Sequence, residues 1–202
     1  MCIRDRVTLL LFVDFNTISP GANDNLTGTY AAVCALRMLD MAGIDFENTE
    51  VCAMITDGEE AGLRGCKQWA KDHYDEYVNS GVETVVLCVD TLADLEYLRV
   101  YNKDMTGTVK NNQQFSQLVM DSAKDSGHND LEFSSVYFGS SDAAAFSQAG
   151  ITATCLAAMD PKPADYYHNR RDTAERLVPE AIKTGFDVII STILNFDEKG
   201  LN

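Results

Sequence analysis

Thr49-Glu50-Val51-Cys52-Ala53-Met54-Ile55-Thr56-Asp57-Gly58-Glu59-Glu60-Ala61-Gly62-Leu63-Arg64-Gly65 carries the reading of the whole chain. The apolar run Val51 to Ile55 predicts a buried strand, and Asp57-Gly58 ends it. A helix is expected immediately after the acid pair Glu59-Glu60, with Trp69 and Ala70 on its inner side. Two adjacent carboxylates at a strand end point in different directions, so one can hold a metal while its neighbour faces a water. Metal-assisted hydrolysis divides labour in that way: the metal lowers the pKa of water and a carboxylate takes the proton. The plainer alternative is that Glu59 and Glu60 only complement the dipole of the following helix.

Working outward, Val7 to Val13 reads as a strand buried on both faces, as in a parallel sheet. Pro20-Gly21 then turns the chain, Asp24 or Asn25 caps a helix over about 26–41, and Gly43 stops it. Tyr30, Val33, Cys34, Leu36 and Met38 are expected to face the sheet. Val82 to Val89 is a further buried strand ending on Asp90, and Tyr97 to Tyr101 a more exposed, antiparallel one. After a polar loop, Asn102 to Lys110, come a helix over about 111–126, a short strand Val136 to Phe138 and a helix Ala143 to Gln148. A strand Ile151 to Ala157, a long polar loop Asp160 to Thr173 and a closing helix from Pro179 complete the chain. The alternation predicts an α/β fold, a three-layer α/β/α sandwich around a mostly parallel mixed sheet, in one domain over residues 7–202. Met1 to Arg6 is charged, fits no element and reads as a foreign leader on an N-terminally truncated domain.

Composition narrows the function. Sixteen basic against thirty-one acidic side chains give a net charge of −15 over 202 residues, which leaves no basic footprint for nucleic acid. No apolar run is long enough to span a membrane. Six cysteines without a Cys-x-x-Cys pair fit buried reduced thiols and a reducing, cytoplasmic compartment better than a disulfide framework.

Asp14, Asp24, Glu59, Glu60, Asp90 and Asp142 each follow the C-terminal end of a predicted strand, the edge where open α/β sheets bind ligands. Carboxylates crowded there repel one another unless cations neutralise them. With His168 from the late loop, the donor set suits zinc or a similar divalent ion in an open catalytic site.

In order along the chain, Pro20-Gly21-Ala22-Asn23-Asp24-Asn25, Asp57-Gly58-Glu59-Glu60-Ala61-Gly62-Leu63-Arg64-Gly65, Val89-Asp90, Ser141-Asp142 and Tyr167-His168-Asn169-Arg170-Arg171-Asp172-Thr173 resemble the zinc-dependent M28 aminopeptidase family. The resemblance implies a zinc-exopeptidase-like fold and hydrolysis of the N-terminal bond of peptides with a free N-terminus. It implies Asp24, Glu60 and His168 as ligands of one zinc, with Asp24 bridging to a second metal served by Asp90. Glu59 would be the general base, and Asp172 would hold the His168 loop. Some members place a Tyr hydroxyl near the oxyanion at Tyr137-Phe138; the sequence leaves open which residue faces the site. One departure concerns the second metal: where the family carries His-x-Asp, this chain has Asp14-Phe15-Asn16. The first site is complete; the second has Asp14 in place of its histidine. A mono-zinc glutaminyl cyclase, which uses the same Asp-Glu-His set, and a degenerate homologue acting as a binding module are the alternative readings.

Overall fold

The computed structural model describes residues 19–46 and 48–201. The expected strand Val7 to Val13 and the candidate ligand Asp14 lie outside those residues.

Five strands form one mixed sheet in the order β1 (Val85–Asp90), β5 (Thr152–Ala158), β2 (Leu98–Asp104) and β3 (Val109–Lys110), with β4 (Phe133–Ser135) also pairing with β2. β1 and β5 run parallel, in register from Val85 opposite Thr152 to Asp90 opposite Ala157. β2 is antiparallel to β5 and β3 and parallel to β4. Side-chain alternation sorts the strands between two cores, as a period of two requires. Val85, Leu87 and Val89 of β1, with Leu156 and Ala158 of β5, pack with α1 (Gly28–Met41), α4 (Gln113–Asp125) and α6 (Pro179–Lys199). Val86 and Cys88, with Ala153, Cys155 and Ala157, face the opposite layer of α2 (Arg64–Asp72) and α5 (Asp142–Gln148). The short helix α3 (Tyr74–Tyr77) extends the second layer. The three-layer α/β/α sandwich expected from the sequence is therefore the observed fold. Asp90, the next residue in the Val86–Cys88 series, falls on the α2/α5 side at the C-terminal edge of β1.

Several elements differ from expectation. α1 turns Ala31, Ala35 and Leu39 inward and leaves Tyr30, Val33, Cys34 and Met38 exposed, with Leu36 half-buried. Closeness explains this. A Cβ at Gly28 would lie 2.3 Å from the Val89 carbonyl oxygen, so the start of the helix approaches the strand closely and the small Ala31 and Ala35 follow on that face. Gly28→Ala is expected to cost roughly 1–3 kcal/mol through overpacking. Thermal melting would read this as a Tm lowered by several degrees; an unchanged Tm would mean that the helix sits further off.

The Val51 to Ile55 run makes no ladder; among the described residues it has no strand partner, and a cavity of about 740 Å³ lies between it and β1. β2 is not exposed: Leu98, Val100 and Tyr101 are buried between neighbours on both edges. The polar stretch after it is a hairpin, not a loop, with β2 continuing to Asp104 and β3 returning at Val109. Asn111 anchors that hairpin, donating to the Tyr101 carbonyl at 2.7 Å and accepting from Ser147. The short strand before α5 is Phe133–Ser135 rather than 136–138. Of the free cysteines, Cys66 and Cys155 are buried and Cys88 half-buried, whereas Cys34 and Cys52 are exposed. Among the described residues no helix is long and apolar enough to cross a membrane.

Candidate metal centre and its cleft

The acid pair sits on a closed loop rather than in the first turn of a helix. Leu63 N–H donates to the Glu59 carbonyl and Arg64 N–H to that of Gly58, and α2 starts only at Arg64. Positive φ at Gly58 (68°) and Gly62 (99°) lets the loop fold back so tightly. The helix-dipole explanation of Glu59 and Glu60 therefore loses its geometric basis. Freed from a helix, their side chains reach the cleft.

Asp24 arrives from another direction. The segment Ala22–Thr27 is an irregular wide turn with non-helical backbone at Asp24 and Asn25. Its position is fixed by hydrogen bonds on both flanks of Asp24. Asn25 Nδ2 donates to the Val89 carbonyl at 3.0 Å, and its Oδ1 accepts from Gly28 N–H and Thr91 N–H. Asn23 Oδ1 accepts from Ala93 N–H at 2.9 Å, and Thr27 Oγ1 accepts from Leu92 N–H. Three successive amides beyond β1 thus tie the Asp24 turn to the strand that ends in Asp90.

His168 comes from the loop after β5. Its backbone is left-handed (φ 56°), and its ring stacks on Tyr167 with centroids 3.7 Å apart. His168 Nε2 lies 2.8 Å from Glu60 Oε1 and 3.1 Å from Asp24 Oδ2. The three donor atoms all fall within 4.8 Å of one another, so the structure brings together Asp24, Glu60 and His168. Burial by itself would depress His168, but hydrogen bonds to Asp24 and Glu60 and their charges raise it to about 10. An imidazolium thus supplies positive charge where these two acids converge.

Glu59 and Asp90 line the same cleft without joining the triad. Burial, then the charges of Glu60, Asp142 and Asp24, push Glu59 up to about 7 against the pull of His168. Burial, then Asp24 and Glu59, push Asp90 well above the carboxylate range. Asp90 Oδ1 is shut away from solvent and has no hydrogen-bond partner among the described residues, the state of an acceptor lacking a cation or proton donor. Two oxygens and one imidazole nitrogen, no thiolate and an orphaned carboxylate oxygen suit a hard or borderline divalent ion.

Asp172 ties the loop that carries His168 to the rest of the site. Its carboxylate reaches the other ligand turn, accepting from Asn23 N–H at 2.7 Å and Asp24 N–H at 3.0 Å. Asp142 accepts from Thr56 Oγ1 at 2.8 Å, tying α5 to the acid-pair loop. Ser141 makes no side-chain cap; its hydroxyl donates to buried Asp104 at 2.6 Å. Sequence reading missed Asp104, because it lies in a stretch taken for a polar loop. It missed Tyr166 as well, whose hydroxyl accepts from Asn23 Nδ2 at 3.0 Å and donates to Asp94. Phe138 lines the cleft, alongside Tyr166 and Tyr167, and Tyr137 is exposed without lining it. His73 pairs with Glu76 and His128 with Asp187, both away from the triad.

The cleft these residues enclose holds about 70 Å³, walled by Phe138, Met159, Pro163 and Tyr167 over an acidic floor. Comparison with known proteins agrees with this architecture. Residues 6–193 match Peptidase family M28, and the chain belongs to that family. A search of curated protein sequences finds no match. Among solved structures, LapB from Legionella pneumophila aligns with a TM-score of 0.73 at 16% identity, over 94% of this chain and 50% of that one. BSAP, a zinc aminopeptidase from Bacillus subtilis, aligns with a TM-score of 0.62 at 22% identity, over 87% and 42%. An Acidobacteriales bacterium glutaminyl cyclase aligns at 0.54 and 17%, over 68% and 47%. The chain thus spans half or less of the length of these structures, and at such identities the likeness is one of fold.

Proposed function

We propose that this chain is a metal-dependent exopeptidase that removes the N-terminal residue from peptides. The observation that carries the reading is the convergence of Asp24, Glu60 and His168 within 4.8 Å, beside a separate carboxylate, Glu59. Asp24, Glu60 and His168 would hold a zinc ion, with Asp90 available to a second metal; Asp14 would belong to that second site. Bound there, a divalent ion acidifies water and polarises a carbonyl oxygen. Glu59, raised to about 7 by its surroundings, is matched to accept a proton from the attacking water near neutral pH. It then returns that proton to the nitrogen of the breaking C–N bond, so that the amine leaves neutral. Asp160, an acid of the cleft lining outside the proposed metal and base set, favours a free α-ammonium, and among the described residues no Lys or Arg lines the cleft to oppose it.

Aminoacyl p-nitroanilides with free and acetylated N-termini test the reading. The free substrate should be cleaved, the acetylated one refused, and activity removed by a chelator should return with zinc. Equal cleavage of both would overturn the exopeptidase reading. One observation favours a second reading, an N-terminal glutaminyl cyclase: the grouped donors are a single Asp-Glu-His set. Loss of ammonia from an N-terminal Gln peptide, without peptide-bond cleavage and with one zinc per chain, would select it.

A further inference from the structure

We infer that Tyr166 and Asp94 form a positioning pair that sets the metal affinity of the centre by fixing the loop that carries His168; the inference rests on the metal-site reading above. Residues 160–173 contain no helix or strand, so His168 depends on other contacts for its place. Two anchors flank it. On the far side, Asp172 is buried and its carboxylate takes both amides of the Asp24 turn. On the near side, the Tyr166 hydroxyl donates to Asp94 and accepts from Asn23, reaching the segment beyond β1 and the Asp24 turn together.

The ring of Tyr166 is itself held. Arg176 lies over it at 5.4 Å and is locked by two 2.8 Å bonds to Asp165, one residue before the tyrosine. Asp94 precedes the turn Leu95–Tyr97 and does not line the cleft, whereas Tyr166 does. That difference separates a positioning role from contact with substrate. Fixing both ligand-bearing segments before the ion arrives reduces the ordering cost of binding, and loss of one outer hydrogen-bonding partner typically weakens a metal site 10–100-fold.

Zinc affinity, measured by competition with a chromophoric chelator, tests this on Tyr166→Phe, Asp94→Ala and the double variant. Tyr166→Phe keeps the ring and removes only the hydroxyl. Each single variant should bind zinc about 10–100-fold more weakly. The double variant should be no weaker than Tyr166→Phe alone, because that change already removes the bond to Asp94 along with the one to Asn23. Asp94→Asn, which keeps an acceptor oxygen, should restore affinity to near wild type. Wild-type affinity in both single variants would overturn the proposal, even with a lowered Tm. A raised KM in Tyr166→Phe alone, with zinc affinity unchanged, would assign the hydroxyl to substrate and overturn it too. Failure of the underlying reading is a separate result: the wild-type protein itself would not bind zinc.

Discussion

Glu59→Gln is expected to keep its metal and lose hydrolysis by roughly 10²–10⁴-fold in kcat. Glutamine matches glutamate in size and leaves the loop hydrogen bonds untouched, since those use the Glu59 carbonyl and not its side chain. Glu59 is absent from the Asp24, Glu60, His168 donor group, so zinc content should stay at the wild-type value. The amide cannot take up a proton, and that is the only function withdrawn. Metal analysis beside steady-state kinetics separates the outcomes. Unchanged turnover would remove Glu59 as the base, and lost zinc would make it a ligand. In the wild type, kcat/KM should fall as pH drops through the titration of this carboxyl. That limb should lie at or below about 7, because a bound cation adds a lowering field to the surroundings that set Glu59.

His168→Ala is expected to weaken zinc binding by more than the roughly 100-fold that an outer partner can account for. It removes the nitrogen donor of the triad and leaves Asp24 and Glu60 facing one another without the imidazolium charge. The pH dependence supplies a second signature. Without metal, His168 is raised to about 10, so zinc must displace a proton from it throughout the neutral range. Wild-type affinity should therefore rise about tenfold per pH unit between pH 6 and 8 from this residue, and the variant should lose that component. Calorimetry in buffers of different ionisation enthalpy would count the released proton; no release would show that the imidazole is not a ligand. For the metal-free fold the sign is opposite. A histidine raised on folding stabilises fully below its ordinary value of about 6.5, and that contribution fades as pH climbs through about 10.

The two covering layers and strands β1, β2 and β5 were legible from apolar runs, whereas the Val51 to Ile55 strand was not borne out and the short strand before α5 lies earlier than expected. Long-range detail was not legible. The inward face of α1 was misjudged because hydrophobicity ranks Tyr30 and Val33 above Ala31 and Ala35. Clearance over Val89, which nothing local to the helix encodes, decides in favour of the small residues. The Asn102 to Lys110 stretch looked like a loop because its polar residues, among them the buried Asp104, find partners far along the chain. Local pattern reading cannot see such partners. The grouping of Asp24, Glu60 and His168 was more readable than the packing around it, because the donor chemistry expected of a metal site constrains residue type directly. Their supports, Asp94, Asn23 and Tyr166, are ordinary polar residues whose purpose emerges only when three separated segments meet. The role assigned to Asp172 from resemblance, holding the His168 loop, left its contact unspecified: its carboxylate takes the amides of Asn23 and Asp24.

The donors differ in exposure: the Asp24 side chain is 13% accessible, His168 31% and Glu60 59%. An incoming ion would therefore meet Glu60 first, at the solvent lip, with Asp24 and His168 holding it deeper in. By microscopic reversibility, a departing ion would leave the inner pair first and Glu60 last. The lifetime of a bound ion would thus be set by release from the buried pair Asp24 and His168, with Glu60 as its final contact.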